Sequence, residues 1–344
     1  LPQRHGPRRL AQRPRMEVVN LGLAGLGYWG PNLARNFDDL PGAHLSWLAD
    51  HDEARLERYA GRYPGARATT SFEDVLADES LYAVVIATPV VTHHELARQA
   101  LRAGKHVFVE KPLALSSEEA EELVALAGER ELVLMPGHLL LYHPAVAKLK
   151  ALVDSGELGR ILYVYGNRQN LGQIRRDENA LWSLGAHDLS VVLHLVGEEP
   201  IECWARGESF LNEAIEDVVF CYLRFPSGIV AHMHLSWLDP HKMRRMTVVG
   251  DSKMAVFDDM AFDRKVTVYD KGTEQRTDTY GEWVTRTGDI SIPKIPNDEP
   301  LRLECEHFLA LLRGEGDRLD AARAGVAVVR ALEQLQASLE RERV

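Results

Sequence analysis

The sequence has little cysteine and no long apolar run, and both scarcities limit what the protein can be. Its three cysteines, Cys203, Cys221 and Cys305, form no C-x-x-C pair and are odd in number. They favour buried, reduced thiols in a cytoplasmic protein over a disulfide framework or a metal site. No apolar stretch approaches the roughly 20 residues of a membrane span. The first 15 residues hold five arginines and no apolar core, which indicates a disordered tail, or alternatively a basic arm for a partner, rather than a secretory signal.

Positive charge is also in short supply. The 344 residues have a formal net charge of −11, which repels nucleic acid and anionic membranes, so we expect neither as a partner of the folded part. An anionic small substrate stays compatible with this charge, because local donors act at short range. The length fits two domains of roughly 100–200 residues each.

The pattern of apolar residues changes once along the chain. Up to residue 137, short apolar runs such as 17–24, 82–88 and 105–110 alternate with helical stretches. This alternation predicts βαβ units around a parallel sheet. From residue 138 onward, runs such as 229–235 alternate apolar and polar residues, which is typical of an antiparallel sheet with one wet or partner-covered face. The last forty residues return to helix, which could pack back on the first domain.

A glycine-rich motif follows the first predicted strand and opens a helix. The G-x-G-x-x-G motif consists of Gly25, Gly27, Tyr28, Trp29 and Gly30, with Leu26 between the first two glycines. Its glycines permit a tight turn and let backbone amides approach a pyrophosphate at the positive end of a helix. Asp50 ends the second strand 20 residues after Gly30, where a carboxylate can accept hydrogen bonds from the adenosine ribose. Strand, loop, helix and acid together predict dinucleotide binding, in preference to a glycine turn that serves packing alone.

The fold class is therefore an α/β Rossmann N-terminal domain, residues 16–137, plus an α+β C-terminal domain with a large, mostly antiparallel sheet, residues 138–344. No arginine stands directly beside Asp50 to receive a 2′-phosphate, which favours NAD over NADP as the cofactor. Arg55 is close enough in sequence to keep that question open.

A second group of motifs carries a family resemblance. Thr88-Pro89, His93, the run AGKHV at 103–107 and Glu110-Lys111-Pro112 follow the glycine motif at set distances. Together they resemble the glucose–fructose oxidoreductase/inositol dehydrogenase (Gfo/Idh/MocA) family, and the resemblance covers nearly the whole chain from Met16. It implies an NAD(H)-dependent oxidoreductase acting on a CH–OH group.

The resemblance also implies roles for these residues. Lys111 would lie beside the nicotinamide and hydrogen-bond the reacting hydroxyl, and a Lys–Pro peptide can be cis. The cofactor cleft would be lined by Thr88, Pro89, His93, Glu110 and Lys111. Lys111 could instead be an ordinary surface lysine, but it follows a parallel strand, where ligands bind, and this favours a role in the active site.

The residues from 167 to 188 resemble the branch of the family that acts on nucleotide-linked sugars, typified by UDP-N-acetyl-amino-sugar 3-dehydrogenases. Many members carry Asp four residues before the catalytic histidine, and here that position is Ser183. Lys111 and His187 therefore form the expected acid–base pair, with a buried structural histidine as the alternative for His187. The expected substrate contacts are Arg168, Asn170, Asn179 and Asp188. Asp188 would point away from His187, so a structural contact is the alternative for it. An arginine fork fits a diphosphate or uronate carboxylate, while a solvated strand edge is the alternative for these polar residues.

Other histidine pairs, at 93/94, 138/143 and 232/234, lack partners at the spacing of a closed site, so we predict no metal. The resemblance implies a homo-oligomer, dimer or tetramer, built through the C-terminal sheet. Two other functions stay open. One is a dehydrogenase of a free sugar or inositol, and the other is a non-catalytic NAD-binding sensor, against which the presence of both Lys111 and His187 argues.

Overall fold

The computed structural model describes residues 18–275 and 282–342, so the predicted tail, residues 1–15, lies outside the described residues. The strands of the N-terminal half are β1 (Val19–Ala24), β2 (Ala43–Ala49), β3 (Arg67–Thr69), β4 (Ala83–Ile86), β5 (His106–Glu110) and β6 (Leu134–Gly137). They form one parallel sheet in the order β3-β2-β1-β4-β5-β6. The order reverses beside β1, and at such a point the carboxyl ends of the strands open a ligand-binding crevice.

Helices cover both faces of this sheet, and β4 shows why. All four residues of β4 are buried, and they alternate between two cores. Val85 enters a core with Phe37 and Phe308, whereas Ile86 enters a second core on the opposite face. A strand that is buried on both faces reads as a continuous apolar run, as the sequence predicts. The covering helices are α1 (Gly30–Asp39), α2 (Glu53–Ala60), α3 (Phe72–Ala77), α4 (His93–Arg102) and α5 (Ser117–Glu129).

The C-terminal half contains a larger sheet. Its strands are β7 (Ile161–Gln169), β8 (Glu202–Glu208), β9 (Val218–Arg224), β10 (Val230–Ser236), β11 (Met243–Gly250), β12 (Met254–Asp258), β13 (Val266–Gln275) and β14 (Trp283–Ser291). Their order is β14-β13-β12-β11-β7-β10-β9-β8, with β7 and β10 parallel and the other neighbours antiparallel. Helices α6 (Pro144–Asp154) and α7 (Ala186–Val196) share a core with this sheet. The predicted fold class is confirmed.

Two last helices, α8 (Pro300–Leu312) and α9 (Asp320–Glu342), return to the N-terminal half. Phe308 of α8 lies in the Rossmann core against Phe37 and Phe108. Helix α9 divides its apolar residues, because Val326 joins the Rossmann core while Leu332 joins the core of the large sheet. These helices therefore connect the two halves. Of the described helices, none is long and apolar enough to cross a membrane.

The structure differs from the sequence-based expectations in a few elements. Helix α1 begins at Gly30 rather than near Gly27, because the motif residues before it form the turn itself. Strand β3, helix α3 and strand β14 were not predicted, since β3 has three residues and β14 is a largely exposed edge without an apolar face. A π-helical turn, Leu181–Gly185, precedes α7 and also had no signal in the sequence.

Candidate active site

The glycine motif forms the turn that its spacing predicts. Gly25 has a φ of +97°, and a Cβ there would lie 2.6 Å from the carbonyl carbon of Ala87. A Cβ on Gly30 would lie 1.8 Å from the Gly25 carbonyl oxygen, so any side chain would push α1 off the turn. At Gly27 a Cβ would meet no atom within 4 Å. The loop is thus closed on its inner side and open at Gly27, which fits a dinucleotide pyrophosphate at the start of α1.

Other residues of the predicted cofactor site surround this loop. Tyr28 is 82% exposed and packs edge-on against half-buried Trp29. Asp50 is buried at the end of β2 and accepts the Leu26 amide at 2.6 Å and the Asp52 amide at 2.9 Å. Arg55 lies 3.6 Å from Asp50 and 3.2 Å from Asp52. Its positive charge is therefore already paired with two carboxylates, which leaves it less able to bind a 2′-phosphate.

His93 connects the loops that follow β4 and β5. Its ring is 1% exposed, with Nδ1 2.8 Å from the Pro112 carbonyl oxygen and Nε2 2.9 Å from that of Thr88. Carbonyls only accept, so a neutral imidazole donates to one of them at a time. Burial lowers the pKa of His93, which favours that neutral ring. Pro89 follows Thr88 at the start of a short turn before α4, and the Lys111–Pro112 peptide is cis.

The side chain of Lys111 reaches across to the C-terminal half. Its Nζ donates to the carbonyl oxygen of Ser183 at 3.2 Å, in the π-helical turn. Burial lowers the pKa of Lys111, and the positive charges of Arg168 and Arg175 act in the same direction. Glu178 and Glu110 oppose them by favouring the ammonium. Lys111 is therefore a half-buried amine that releases its proton more readily than a surface lysine.

His187 stands at the start of α7, one helical turn after Ser183. Burial, and then the charge of Lys111, lowers its pKa well below the ordinary value. Arg168, His138 and Arg244 contribute further lowering. The imidazole is thus neutral at physiological pH and can accept a proton. Lys111 and His187, which the motifs predict as a pair, act on each other electrostatically in the structure.

Three further buried titratable side chains, Glu110, Glu304 and His138, act on Lys111 or on one another through their charges. Burial raises the pKa of Glu110 to about 7, and its Oε2 accepts the Lys111 amide at 3.2 Å. Glu304 of α8 is fully buried and its pKa is raised well above the ordinary value. Burial lowers the pKa of His138 to about 4. The described residues offer no hydrogen-bond partner to either Glu304 oxygen or to either ring nitrogen of His138.

Asp188 makes an internal ion pair. It is 4% exposed, and its Oδ1 lies 2.8 Å from Nε and 2.7 Å from Nη2 of Arg168. Arg168 is also buried, on β7. This geometry agrees with the structural alternative for Asp188, while a contact of either residue with substrate stays a prediction. Arg168 lies close enough to Lys111 and His187 to lower the pKa of both.

Asn179 makes several internal hydrogen bonds. Its Oδ1 accepts the Trp182 amide at 3.1 Å, and its Nδ2 donates to Glu216 at 2.8 Å and to Gln336 at 2.9 Å. These bonds use both amide hydrogens, and the expected contact with substrate stays a prediction. Asn170 is half-buried at the end of β7, where its backbone amide donates to Ser236, and its side chain keeps its place among the predicted contacts.

The sequence analysis missed several residues that influence the site. Glu178, Arg175 and Arg244 act on the predicted pair through their charges, although none of them was among the predicted site residues. Glu304 could have been predicted from the sequence, because it lies three residues after Leu301 and four before Phe308, on the apolar stripe of α8. A charged residue in such a stripe indicates a buried titratable group.

The histidines that occur in pairs in the sequence lie in different environments in the structure. His143 caps α6 and lies 3.5 Å from Asp259, while His232 and His234 stand on the outer face of the large sheet. Among the described residues no group of three His, Cys, Asp or Glu side chains could hold a metal ion. Cys203, Cys221 and Cys305 are free thiols.

Family comparisons match both halves of the chain. Residues 19–138 match the model described as the oxidoreductase family with an NAD-binding Rossmann fold. Residues 146–256 match the Gfo/Idh/MocA C-terminal domain.

Individual relatives agree with these matches. A UDP-N-acetylglucosamine 3-dehydrogenase of Acidithiobacillus ferrooxidans is 30% identical over 70% of this chain and 74% of its own length. The scyllo-inositol 2-dehydrogenase (NAD(+)) of Bacillus subtilis is 29% identical over 64% and 67%. The structure of GenD2 from gentamicin A biosynthesis in complex with NAD superposes with a TM-score of 0.79 at 26% identity, covering 98% of each chain. The chain belongs to the Gfo/Idh/MocA family of NAD-dependent oxidoreductases.

Proposed function

We propose that this oxidoreductase transfers a hydride between NAD and C3 of a nucleotide-linked sugar. The observation that carries the proposal is the position of the Lys111 amine, which reaches the turn directly before His187 and donates to the Ser183 carbonyl at 3.2 Å. Arg168 and Arg244 already have acidic partners, Asp188 and Asp259, so Lys111 is the cation of this group that can meet a substrate oxygen. The 30% identical relative that acts on UDP-N-acetylglucosamine supports the same substrate class.

The reaction needs one base and one cation at the sugar hydroxyl. His187, held neutral by its surroundings, accepts the hydroxyl proton, and the Lys111 ammonium donates a hydrogen bond to the same oxygen as negative charge develops there. NAD, when bound, takes the carbinol hydride. The glycine motif and Asp50 position the dinucleotide, so that hydride acceptor, base and cation meet at the ends of β4 and β5. In the reverse direction, His187 returns the proton to a keto sugar.

A bound diphosphate also improves the base. In the free protein burial, and after it the charge of Lys111, makes His187 a weak base, because both disfavour its protonated form. An anion bound near Lys111 favours the imidazolium and raises the pKa of His187 toward the range in which proton transfer is efficient. The negative charge of the substrate would in this way make His187 a better base.

A free sugar or inositol is the second candidate substrate, favoured by the 29% identical scyllo-inositol 2-dehydrogenase. A neutral polyol would bring no negative charge to raise the pKa of His187. We therefore rank this candidate second.

We also propose that the outer face of the large sheet joins two copies of the chain. Tyr163, Tyr165 and His232 stack there with ring centroids 5.1–6.4 Å apart. Phe220, which is 48% exposed, stacks on His234 at 4.4 Å. An exposed row of stacked rings is an apolar patch of the kind that marks a protein interface, and a dimer or tetramer would cover it.

The experiment that tests the substrate class uses purified, NAD-loaded protein and the absorbance band of reduced nicotinamide. We expect the band to appear with one or more UDP- or dTDP-sugars and to be lost in Lys111→Ala and His187→Ala. A response to inositols or free sugars alone would select the second candidate. NAD binding without turnover on the whole panel would favour a non-catalytic sensor.

A further inference from the structure

The π-helical turn Leu181–Gly185 presents a backbone carbonyl to the catalytic lysine. The Ser183 oxygen accepts the Lys111 ammonium at 3.2 Å. A π turn shifts the helical hydrogen-bond pattern by one residue, so carbonyls in it point away from their α-helical partners, and such turns are frequent at functional sites. Ser183 itself has no carboxylate, so its main chain provides the contact.

Asn179 holds the start of this turn through its side chain and its backbone. Its side-chain Oδ1 accepts the Trp182 amide, and its backbone carbonyl accepts the Ser183 amide at 3.0 Å. Gln336 of α9 accepts both Asn179 Nδ2, at 2.9 Å, and Trp182 Nε1, at 3.2 Å. Asn179 thus ties the turn to a helix from the end of the chain.

A second connection runs to the segment before β9. Asn179 Nδ2 donates to the buried Glu216 carboxylate, and the backbone amide of Ala180 donates to the Glu216 carbonyl at 2.9 Å. On the far side of the turn, a Cβ on Gly185 would lie 2.9 Å from Leu235 of β10. The turn is therefore fixed at its start by polar bonds and at its end by close packing.

We propose that Asn179 is a positioning residue, which holds the Leu181–Gly185 turn so that the Ser183 carbonyl keeps the Lys111 ammonium in place. This inference rests on the proposed catalytic role of Lys111. A hydrogen bond to the charged form of an amine stabilises that form, so loss of the Ser183 contact makes Lys111 give up its proton more easily.

Other groups also act on Lys111 and remain unchanged when Asn179 is replaced. The carboxyls among them are Glu110 and Glu178, and the guanidiniums are Arg168 and Arg175. The imidazoles that face it are His93, His138 and His187. These side chains are all present in the Asn179 variant, and Glu178 is the residue next to it, so the pKa of Lys111 is compared with that in a control variant that leaves the turn untouched.

The test measures the pKa of Lys111 directly, by acetylation with acetic anhydride across a pH series and mass spectrometry of the Lys111 peptide in NAD-loaded protein. For Asn179→Ala we expect this pKa to fall by about one unit, the size of one hydrogen bond to a charged group. The alkaline limb of kcat should move to lower pH by the same amount. Should Asn179→Ala fail to fold, Gln336→Met removes the α9 anchor more gently and should give a smaller shift of the same sign.

Ser338→Ala is the matched control, because Ser338 ties the same helix α9 to Ala205 of β8 without touching the turn. It should lower Tm and leave the pKa of Lys111 at the wild-type value. The inference is overturned if Asn179→Ala leaves the pKa of Lys111 unchanged, or if Ser338→Ala shifts it equally. The labelling needs no sugar substrate, so it can succeed even where nucleotide-sugar turnover is absent.

Discussion

The guanidinium of Arg168 meets a single oxygen of Asp188, 2.8 Å from Nε and 2.7 Å from Nη2, inside the protein. The pair links β7 to α7 at the residue that follows His187, the proposed base. Both side chains are more than nine-tenths buried. Removing one charge therefore leaves the other without compensation in a medium that solvates it poorly.

Asp188→Asn should accordingly lower the free energy of unfolding by about 3 kcal/mol, which urea denaturation will measure. Glu202→Gln is the matched control, because Glu202 pairs with Arg224 at 3.2 Å with both side chains about half exposed. Its loss should cost less than about 1 kcal/mol. Equal effects of the two substitutions would contradict the structural importance of the buried pair.

The pH dependence of turnover should reflect the shifted pKa values of His187 and Lys111. The base must be neutral, so the acid limb of kcat/KM, which reports the free protein, should lie below pH 6.5. The ammonium must keep its proton, so the alkaline limb should lie below pH 10.5.

The acid limb of kcat reports the substrate complex, and a bound diphosphate should move it to higher pH than the limb of kcat/KM. Steady-state rates from pH 4 to 10 on a sugar nucleotide test both statements. An identical acid limb in the two profiles would argue against compensation of the cations by the substrate.

The buried Glu304 should reduce stability at neutral pH. Its folded-state pKa is raised, so the unfolded chain holds fewer protons above the ordinary value of 4.5, and stability falls as pH rises from there toward the folded pKa. The cost is about 1.4 kcal/mol for each pH unit in that interval. Glu304→Met should therefore stabilise the protein more at pH 8 than at pH 4.5.

Urea unfolding at the two pH values measures this difference. Glu306→Gln provides the control, since Glu306 lies on the same helix with a half-exposed side chain paired to Arg302. It should change stability little at either pH. A Glu304→Met effect that is independent of pH would show that burial does not shift this carboxyl.

The outer face of the large sheet should set the oligomeric state. A charge in the stacked rings opposes burial of the face, so Phe220→Asp should reduce the mass measured by light scattering from that of a dimer or tetramer toward the monomer. Phe262→Asp is the control, because Phe262 is 99% exposed in the turn between β12 and β13. A monomeric wild-type protein, or a Phe220→Asp variant of unchanged mass, would count against this interface.

The parts of the site that the sequence predicted are those with local causes. Gly25, Gly30 and Asp50 lie within one strand–helix–strand unit, so their spacing carries the information. The family comparisons support the family to which the motifs around Lys111 and His187 pointed, while the roles of these two residues stay predictions. Strand alternation likewise separated the parallel sheet from the antiparallel one.

The parts that the sequence did not predict depend on distant partners. The sequence marks Asn179 as a polar contact but does not show its partners, Glu216 and Gln336, which stand 37 and 157 positions away. Asp188 follows His187, but only the packing of α7 on β7 shows that Arg168 neutralises it. The bonds of Asn179 hold the start of the π-helical turn, and no local propensity encodes them.

The most direct test of the central claim follows the hydride itself. UDP-N-acetylglucosamine with deuterium at C3 is mixed with NAD-loaded protein, and the reduced nicotinamide is analysed by mass spectrometry. We predict that the deuterium appears in the reduced cofactor with wild-type protein and is not transferred by Lys111→Ala or His187→Ala. Reduced cofactor without deuterium would place the oxidation at another carbon, and no reduction with any sugar nucleotide would contradict the proposed substrate class.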